Sequence, residues 1–210
     1  MGSFTYEEKE KKEKFETYEW DNVWIDHAND LTTTRVLYVG DSISCGTRRI
    51  ATERTNEQIL FDGFGTSKAI DNPYFKDSVK LFAKQEPKTD VIIFNNGLHG
   101  WHLEEETEYS YHYEEMIKFF LSEYKNTPLI VVLTTYVSNP ERNARVIKRN
   151  EVAKEIASKY GLSVIDLYKI TSESPEKLLS DGVHFSEEGY QMIADEIIKE
   201  ISELFSGLKA

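Results

Sequence analysis

Five short apolar runs recur along the chain, and in each of them hydrophobic residues occupy consecutive rather than alternate positions. Runs of this kind are typical of strands that are buried on both faces in a parallel sheet. The predicted strands cover residues 35–40, 58–64, 90–97, 129–135 and 162–168.

Helical patterns separate and follow these strands, at residues 43–53, 73–85, 105–125, 140–160 and 186–206. Asn139, Pro140 and Gly161 frame the fourth helix as cap, first-turn residue and C-terminal stop. Alternating strands and helices predict an α/β fold, a three-layer α/β/α sandwich with a five-stranded, mainly parallel sheet. Ligands of such a sandwich bind at the carboxyl ends of the strands.

The 210 residues of the chain suffice for one domain with a sizeable core. We expect this domain over residues 31–210, preceded by a charged and aromatic extension over residues 1–30 that packs on it. Within the extension, residues 7–16 are rich in Glu and Lys, which is typical of a solvated helix or a frayed end.

Composition limits the partners of the protein. The formal net charge of −12 argues against binding to nucleic acid or to an anionic membrane surface. No run reaches the roughly 18–20 apolar residues of a membrane span, and the first 16 residues lack the apolar core of a signal peptide. We therefore expect a cytoplasmic protein, although residues 1–3 could replace a removed signal peptide, which leaves secretion open. The single cysteine, Cys45, excludes an internal disulfide and a cysteine metal cage.

The stretch "VLYVGDSISCG" at residues 36–46 places Ser42 two residues beyond the first strand and at the start of a helix. Backbone N–H groups at a helix start can stabilise a developing oxyanion. A serine nucleophile also needs a base, because its hydroxyl stays protonated on its own. Helix capping by Asp41 or Ser42 is the alternative interpretation of the same residues.

Among the five histidines, His184 is the best candidate for this base. It lies in "SDGVHFSEEGY", directly before the last helix, and Asp181 precedes it by three residues. This spacing lets one turn carry both a base and the carboxylate that orients its ring. The alternative is a helix-capping loop, since Asp-Gly turns and Ser186 are common before helices.

Together, "GDSI" at residues 40–43 and "DGVHF" at residues 181–185 resemble the SGNH hydrolases, also called the GDSL esterase/lipase family. The resemblance spans about residues 35–205. It implies a flavodoxin-like sandwich with Ser42 as nucleophile, His184 as general base and acid, and Asp181 as its orienting partner. It also implies that the Ser42 N–H contributes to the oxyanion hole.

Two further oxyanion donors are expected from the family pattern. The first is a glycine N–H after the second strand, for which we favour Gly65 over Gly63, with the Thr66 or Ser67 N–H as substitutes. The alternative is that both glycines serve a tight turn.

The second donor of the family is an asparagine after the third strand. Here "FNNGLHGWH" places His99 in its position, which departs from the family motif, and Asn96 could supply an amide instead if the strand end is shifted. A neutral imidazole can donate one N–H to an oxyanion, so function could survive the replacement.

Asp41 and Trp101 are the predicted substrate-binding residues. Trp101 could stack on a sugar ring or an acyl group, or pack under the following helix. His99 and His102 could also be read as metal ligands, but their spacing would require a helix where the pattern indicates a loop. We expect no metal and no cofactor.

The leading hypothesis is a serine esterase acting on a short acyl ester, such as acetyl on a carbohydrate. This substrate preference comes from the family's frequent use as carbohydrate esterases and from the aromatic residues near the site. Two alternatives stay open: a flavodoxin-like module that binds flavin, and a degenerate hydrolase that binds carbohydrate without turnover, suggested by His99.

Overall fold

The computed structural model describes residues 14–207, with side chains up to Phe205. Its sheet contains six strands: β1 (Asp21–Trp24), β2 (Thr34–Gly40), β3 (Ile59–Thr66), β4 (Val91–Phe94), β5 (Leu129–Val132) and β6 (Ser163–Ile165). They are ordered β1-β3-β2-β4-β5-β6. Strands β2 to β6 run parallel, and β1 is antiparallel to β3.

Helices cover both faces of the sheet, which confirms the predicted α/β/α sandwich. The helices are α1 (Ser42–Arg54), α2 (Phe75–Ala83), α3 (Glu106–Glu123), α4 (Pro140–Tyr160), α5 (Leu167–Ser172) and α6 (Glu187–Gly207), with a 3₁₀ turn at Pro175–Lys177. One core lies between the sheet and α2, α3 and α4, and the other between the sheet and α1, α5 and α6. No helix within residues 14–207 is long and apolar enough to cross a membrane.

Strand β2 shows why the apolar runs have no alternation. Val36 and Tyr38 face the core beneath α1 and α6, whereas Leu37 and Val39 face the core beneath α3 and α4. All four are buried. A strand that is covered on both sides therefore carries apolar residues at consecutive positions.

The sheet has one strand more than predicted. The four residues of β1 are all exposed, so they lack the apolar signal by which the other strands were recognised. Side chains from neighbouring elements hold this edge strand: Arg48 donates to the carbonyl and side-chain oxygens of Asn22, and Lys68 pairs with Asp21 at 2.6 Å. Part of the predicted 1–30 extension thus belongs to the sheet, and residues 7–13 of its charge run lie outside the described residues.

Element boundaries follow local capping. Asn139 accepts the Arg142 N–H at 2.9 Å, and Gly161 ends α4 with φ of 65°, so the predicted bounds of this helix are confirmed. The predicted strand 162–168 is wrong in its second half, because the Asp166 carboxylate accepts the Lys169 N–H and begins α5 there.

Arg35 and Asp62 form a buried ion pair at the opposite end of β2 from Ser42. The two side chains are fully buried with N···O of 2.8 Å, and the Arg35 guanidinium also donates to the carbonyls of Asp26, His27 and Asp30. Beside this pair lies the Glu86 carboxyl group, which accepts a hydrogen bond from Thr89. Burial, and then the Asp62 carboxylate, raises the pKa of Glu86 to about 8.

We predict that Glu86→Gln makes the protein more stable at alkaline pH. The folded state holds the Glu86 proton up to about pH 8, whereas the unfolded chain loses it near pH 4.5, so wild type loses stability as pH rises through this window. At pH 9 the variant should gain roughly 1–3 kcal/mol in the free energy of unfolding, and near pH 4 it should gain nothing.

Urea unfolding across this pH range measures the difference. Glu53→Gln, at an exposed carboxylate of α1, is the control and should follow wild type. Parallel pH profiles for Glu86→Gln and wild type would contradict the prediction.

Candidate active site

Ser42 lies where β2 ends and α1 begins without an intervening loop. The Asp41 carboxylate accepts the Ile43 N–H at 2.9 Å and caps the helix, and the Ser44 hydroxyl donates to the Asp41 carbonyl at 2.6 Å. Ser42 is therefore the first residue of α1, partly exposed, at the positive end of the helix dipole.

Hydrogen bonds within the turn before α6 fix the Asp181 carboxylate against the His184 ring. One Asp181 carboxylate oxygen accepts the N–H groups of Val183 and His184, both at 2.9 Å, and the other lies 2.9 Å from His184 Nδ1. Gly182 has φ of 73°, and its carbonyl accepts the Ser138 N–H at 2.9 Å. The turn is thus fixed both internally and to the segment between β5 and α4.

The two segments meet through a hydrogen bond between Ser42 Oγ and His184 Nε2 at 2.9 Å. Because a carboxylate only accepts, the Asp181 contact assigns the proton to Nδ1 and leaves the Nε2 lone pair to accept the serine hydroxyl. The arrangement can therefore draw the proton from Ser42 and stabilise the imidazolium that results.

Asp181 stays ionised in this site. Burial raises its pKa, but the hydrogen bonds from the Val183 and His184 amides and from the His184 ring outweigh this effect, so the pKa lies below its usual value. A carboxylate that remains charged can orient His184 and balance its positive charge.

Gly65 lies inside β3, so its predicted position beyond the strand is wrong. It pairs with Asn22 of β1 and Gly40 of β2, because the strand continues through Thr66. A Cβ at this position would overlap the Cys45 sulfur and come within 3.2 Å of the Asp41 carbonyl oxygen. The missing side chain thus lets α1 begin close to β3, whereas the backbone of Gly65 belongs to the sheet. The substitute Ser67 N–H donates to the Trp20 carbonyl at 3.1 Å.

Asn96 and His99 lie in the loop after β4, and both are buried. The Asn96 amide donates to the Lys68 carbonyl at 3.0 Å, so it joins this loop to the loop after β3. His99 Nδ1 lies 3.3 Å from a carboxylate oxygen of Glu16, and the Trp20 ring meets its ring edge-on.

The structure gives Asp41 and Trp101 packing roles. Asp41 is 2 % exposed, and its carboxylate caps α1 by accepting the Ile43 N–H. Trp101 is 9 % exposed, and the guanidinium groups of Arg142 and Arg145 lie 4.7 and 4.9 Å from its ring centroid. Both findings favour the capping and packing interpretations of these residues.

The residues that surround His99 were missed from the sequence. Glu16 falls in a charge run that is typical of a solvated segment. Its side chain nevertheless contacts His99 and is only 9 % exposed. Arg149 lies in the middle of α4 and donates to the carbonyls of Gly97, His99 and Gly100. No spacing motif relates either residue to His99.

Within the described part of the chain, no group of three or more His, Cys, Asp or Glu side chains could hold a metal ion. The two histidines considered as metal ligands face separate carboxylates: His99 faces Glu16, and His102 Nε2 lies 3.0 Å from Asp71. Each histidine therefore lies beside a different carboxylate.

The chain belongs to the GDSL-like lipase/acylhydrolase family, whose family model matches residues 38–192. The predicted resemblance is thereby confirmed, and the protein is a hydrolase of the esterase and acylhydrolase type. This result favours the hydrolase hypothesis over a flavin-binding module. A comparison with curated protein sequences finds no match.

Solved structures share the fold at low sequence identity. A lipase/acylhydrolase from Enterococcus faecalis is 22% identical with a TM-score of 0.61, covering 80% of this chain and 95% of its own. The acetyl xylan esterase AlAXEase is 17% identical with a TM-score of 0.62, covering 80% and 99%. An acetyl esterase mutant with an acetate ion is 14% identical with a TM-score of 0.67, covering 84% and 100%.

We predict that Gly182→Ala disrupts the site. A Cβ on Gly182 would overlap the Ser138 hydroxyl, and an L side chain is strained at φ of 73°. The turn must shift, which moves His184 away from Ser42. Labelling of the protein by a fluorophosphonate probe should slow by about 10-fold or more, since small displacements of reacting groups are costly.

Gly161→Ala is the matched control, because Gly161 has φ of 65° but an added Cβ would meet open space at the end of α4. This variant should lose stability by about 1 kcal/mol and keep the wild-type labelling rate. Equal labelling rates for wild type and Gly182→Ala would show that the turn geometry does not control the site.

Proposed function

We propose that the protein is a serine esterase that hydrolyses short-chain carboxylic esters through an acyl-enzyme intermediate. The observation that carries the proposal is the pair of 2.9 Å contacts that join Asp181 to His184 and His184 to Ser42. Membership of the GDSL-like lipase/acylhydrolase family supports the same reaction class.

In the first half-reaction, Ser42 Oγ attacks the ester carbonyl carbon while His184 Nε2 takes the hydroxyl proton. The carbonyl oxygen becomes an oxyanion, for which the Ser42 N–H at the start of α1 is a proposed donor. The C–O bond to the alcohol then breaks, and His184 returns the proton to the leaving alkoxide. The products are the free alcohol and an ester between Ser42 and the acyl group.

In the second half-reaction, His184 takes a proton from water, and the hydroxide formed attacks the acyl carbon. Collapse of this second oxyanion releases the carboxylic acid, and the proton on His184 restores the Ser42 hydroxyl. Asp181 keeps its charge throughout and balances the imidazolium in both steps. This role agrees with hydrogen bonds that hold its pKa below the usual value.

For the substrate we propose an acetyl ester, with a carbohydrate as the alcohol portion. Two structures with the same fold are an acetyl xylan esterase and an acetyl esterase mutant with an acetate ion, which supports this choice. The net charge of −12 disfavours strongly anionic substrates. Trp101 is 9 % exposed and has the Arg142 and Arg145 guanidinium groups over its ring, which argues against stacking on a sugar ring.

We predict that Ser42→Ala abolishes hydrolysis of p-nitrophenyl acetate and of acetylated sugars, and also labelling by the fluorophosphonate probe. The variant lacks the nucleophile, so the rate should fall by about 10³-fold or more. Ser44→Ala is the matched control, because Ser44 lies two residues further along α1 and its hydroxyl donates to a backbone carbonyl. Hydrolysis by Ser42→Ala at the wild-type rate would contradict the proposed nucleophile.

A second prediction concerns His99 as a proposed oxyanion donor, a role that requires a proton on Nε2 as well as on the Nδ1 that faces Glu16. His99→Ala should lower kcat by about 10²–10³-fold with little change in KM, since a donor to the transition state is lost. His99→Asn should retain more activity, because an amide N–H can replace the imidazole donor. If His99→Ala keeps the wild-type kcat, His99 is a packing residue and the oxyanion is held elsewhere.

A further inference from the structure

Arg149 is a buried cation whose hydrogen bonds to the described residues go to backbone carbonyls rather than to a carboxylate. Its side chain is 3 % exposed, and one guanidinium nitrogen donates to the carbonyls of Gly97 and His99 at 3.0 and 2.7 Å. The other donates to Gly100 at 2.6 Å and to Leu103 at 3.4 Å. A single side chain therefore binds four carbonyls of one loop, residues 97–103.

The hydrogen bonds from Arg149 to loop 97–103 form a clamp, and this clamp determines the direction of the loop peptides. The carbonyls of Gly97, His99 and Gly100 all point at the guanidinium, and the described chain has no cis peptide bond. In a trans peptide the C=O and the following N–H point in opposite directions, so the next N–H groups point away from Arg149. Gly100, with φ of 79°, provides the reversal that lets consecutive carbonyls converge.

The clamp is itself held in register with the sheet. The neighbouring Asn150 accepts the Thr134 N–H at 2.8 Å and donates to the Thr134 carbonyl at 2.9 Å, which fixes α4 to the segment after β5. The Arg149 guanidinium also lies 4.6 Å from the Tyr109 ring centroid and 5.5 Å from that of Trp101. Arg149 therefore has little freedom to move without the loop.

Burying the charged Arg149 guanidinium costs solvation free energy. Burial lowers the pKa of Arg149 to about 10, and Arg145 adds to this effect while Tyr109 opposes it. A buried cation is tolerated only where its donors are satisfied, and here backbone carbonyls supply the acceptors. An apolar residue would avoid the cost but would leave those carbonyls without this donor.

We infer that Arg149 is a positioning residue, which holds loop 97–103 so that His99 stabilises the transition state of ester hydrolysis. The inference rests on the proposed function and on the oxyanion role proposed there for His99. Arg149 does not contact the reacting atoms in this account, and it acts through the backbone on either side of His99.

The test compares Arg149→Met and Arg149→Lys in the full-length protein, with active sites counted by fluorophosphonate labelling. Arg149→Met removes the donors, and kcat per labelled site for p-nitrophenyl acetate should fall by about 10–100-fold. KM should change by less than about threefold, because the effect falls on the transition state. Arg149→Lys keeps the charge without the planar fork, so its kcat should lie between those of wild type and Arg149→Met.

Arg35→Lys is the matched control. Arg35 is also fully buried and donates to three loop carbonyls, but it lies at the end of β2 that is opposite Ser42. The Arg35→Lys substitution should lower thermal stability and leave kcat per labelled site unchanged. A wild-type kcat in Arg149→Met, or an equal loss of kcat in Arg35→Lys, would overturn the inference.

Hydrogen exchange separates this inference from the proposed function. If wild type hydrolyses no ester, or Ser42→Ala hydrolyses as fast as wild type, the proposed function fails. Amide exchange in loop 97–103 still reports on the clamp, and it should accelerate in Arg149→Met but not in Arg35→Lys. Unchanged exchange in this loop would reject the clamp whether or not the protein is an esterase.

Discussion

The site depends on one hydrogen bond, between Ser42 and His184, which joins residues 142 positions apart in the sequence. The bond requires α1 to begin directly at the end of β2 and the turn before α6 to lie above that helix start. The Asp41 cap fixes the first condition, whereas the Ser138–Gly182 hydrogen bond and the core that α1 and α6 share on one face of the sheet support the second. Tyr190 of α6 lies against Gly46 of α1, where a larger residue would separate the two helices. The contact between Ser42 and His184 thus depends on local hydrogen bonds and on the hydrophobic core beneath them.

Two buried arginines organise backbone loops at opposite ends of the parallel strands β2 and β4. Arg35 holds the loop before β2 and is paired with Asp62, whereas Arg149 holds the loop after β4 through carbonyl groups. A guanidinium suits both places, since its five N–H donors lie in one plane and can reach several carbonyls at once. In a chain with net charge −12, these cations stabilise loop geometry in the interior rather than bind anions at the surface.

The sequence was sufficient to predict the family and the fold where the same residues carry both a functional motif and a local structural pattern. A glycine, an acid and a serine after a buried strand, with Asp181 three residues before His184, are local patterns, and they correctly indicated the family and the sandwich. Strand β1 was missed because an exposed edge strand carries no apolar pattern. The position of Gly65 was misjudged because β3 continues two residues beyond its last phenylalanine, through Thr66.

The surroundings of His99 could not be predicted for a different reason. Glu16 contacts His99 across 83 positions, and Arg149 reaches its carbonyl across 50. Such contacts depend on how elements pack, and neither residue belongs to a motif with fixed spacing. An acidic residue in a charge run and an arginine in an amphipathic helix both have an ordinary solvated interpretation, which only the tertiary structure overrules.

The most direct test of the account is to trap the covalent intermediate. Rapid mixing of the protein with p-nitrophenyl acetate, acid quenching and peptide mass spectrometry would show which side chain carries the acetyl group. The account predicts a burst of p-nitrophenol equal to the number of active sites and an acetyl group on the peptide that contains Ser42. Steady turnover with no acetylated Ser42 at any time point, or acetylation of another residue at the rate of the burst, would contradict it.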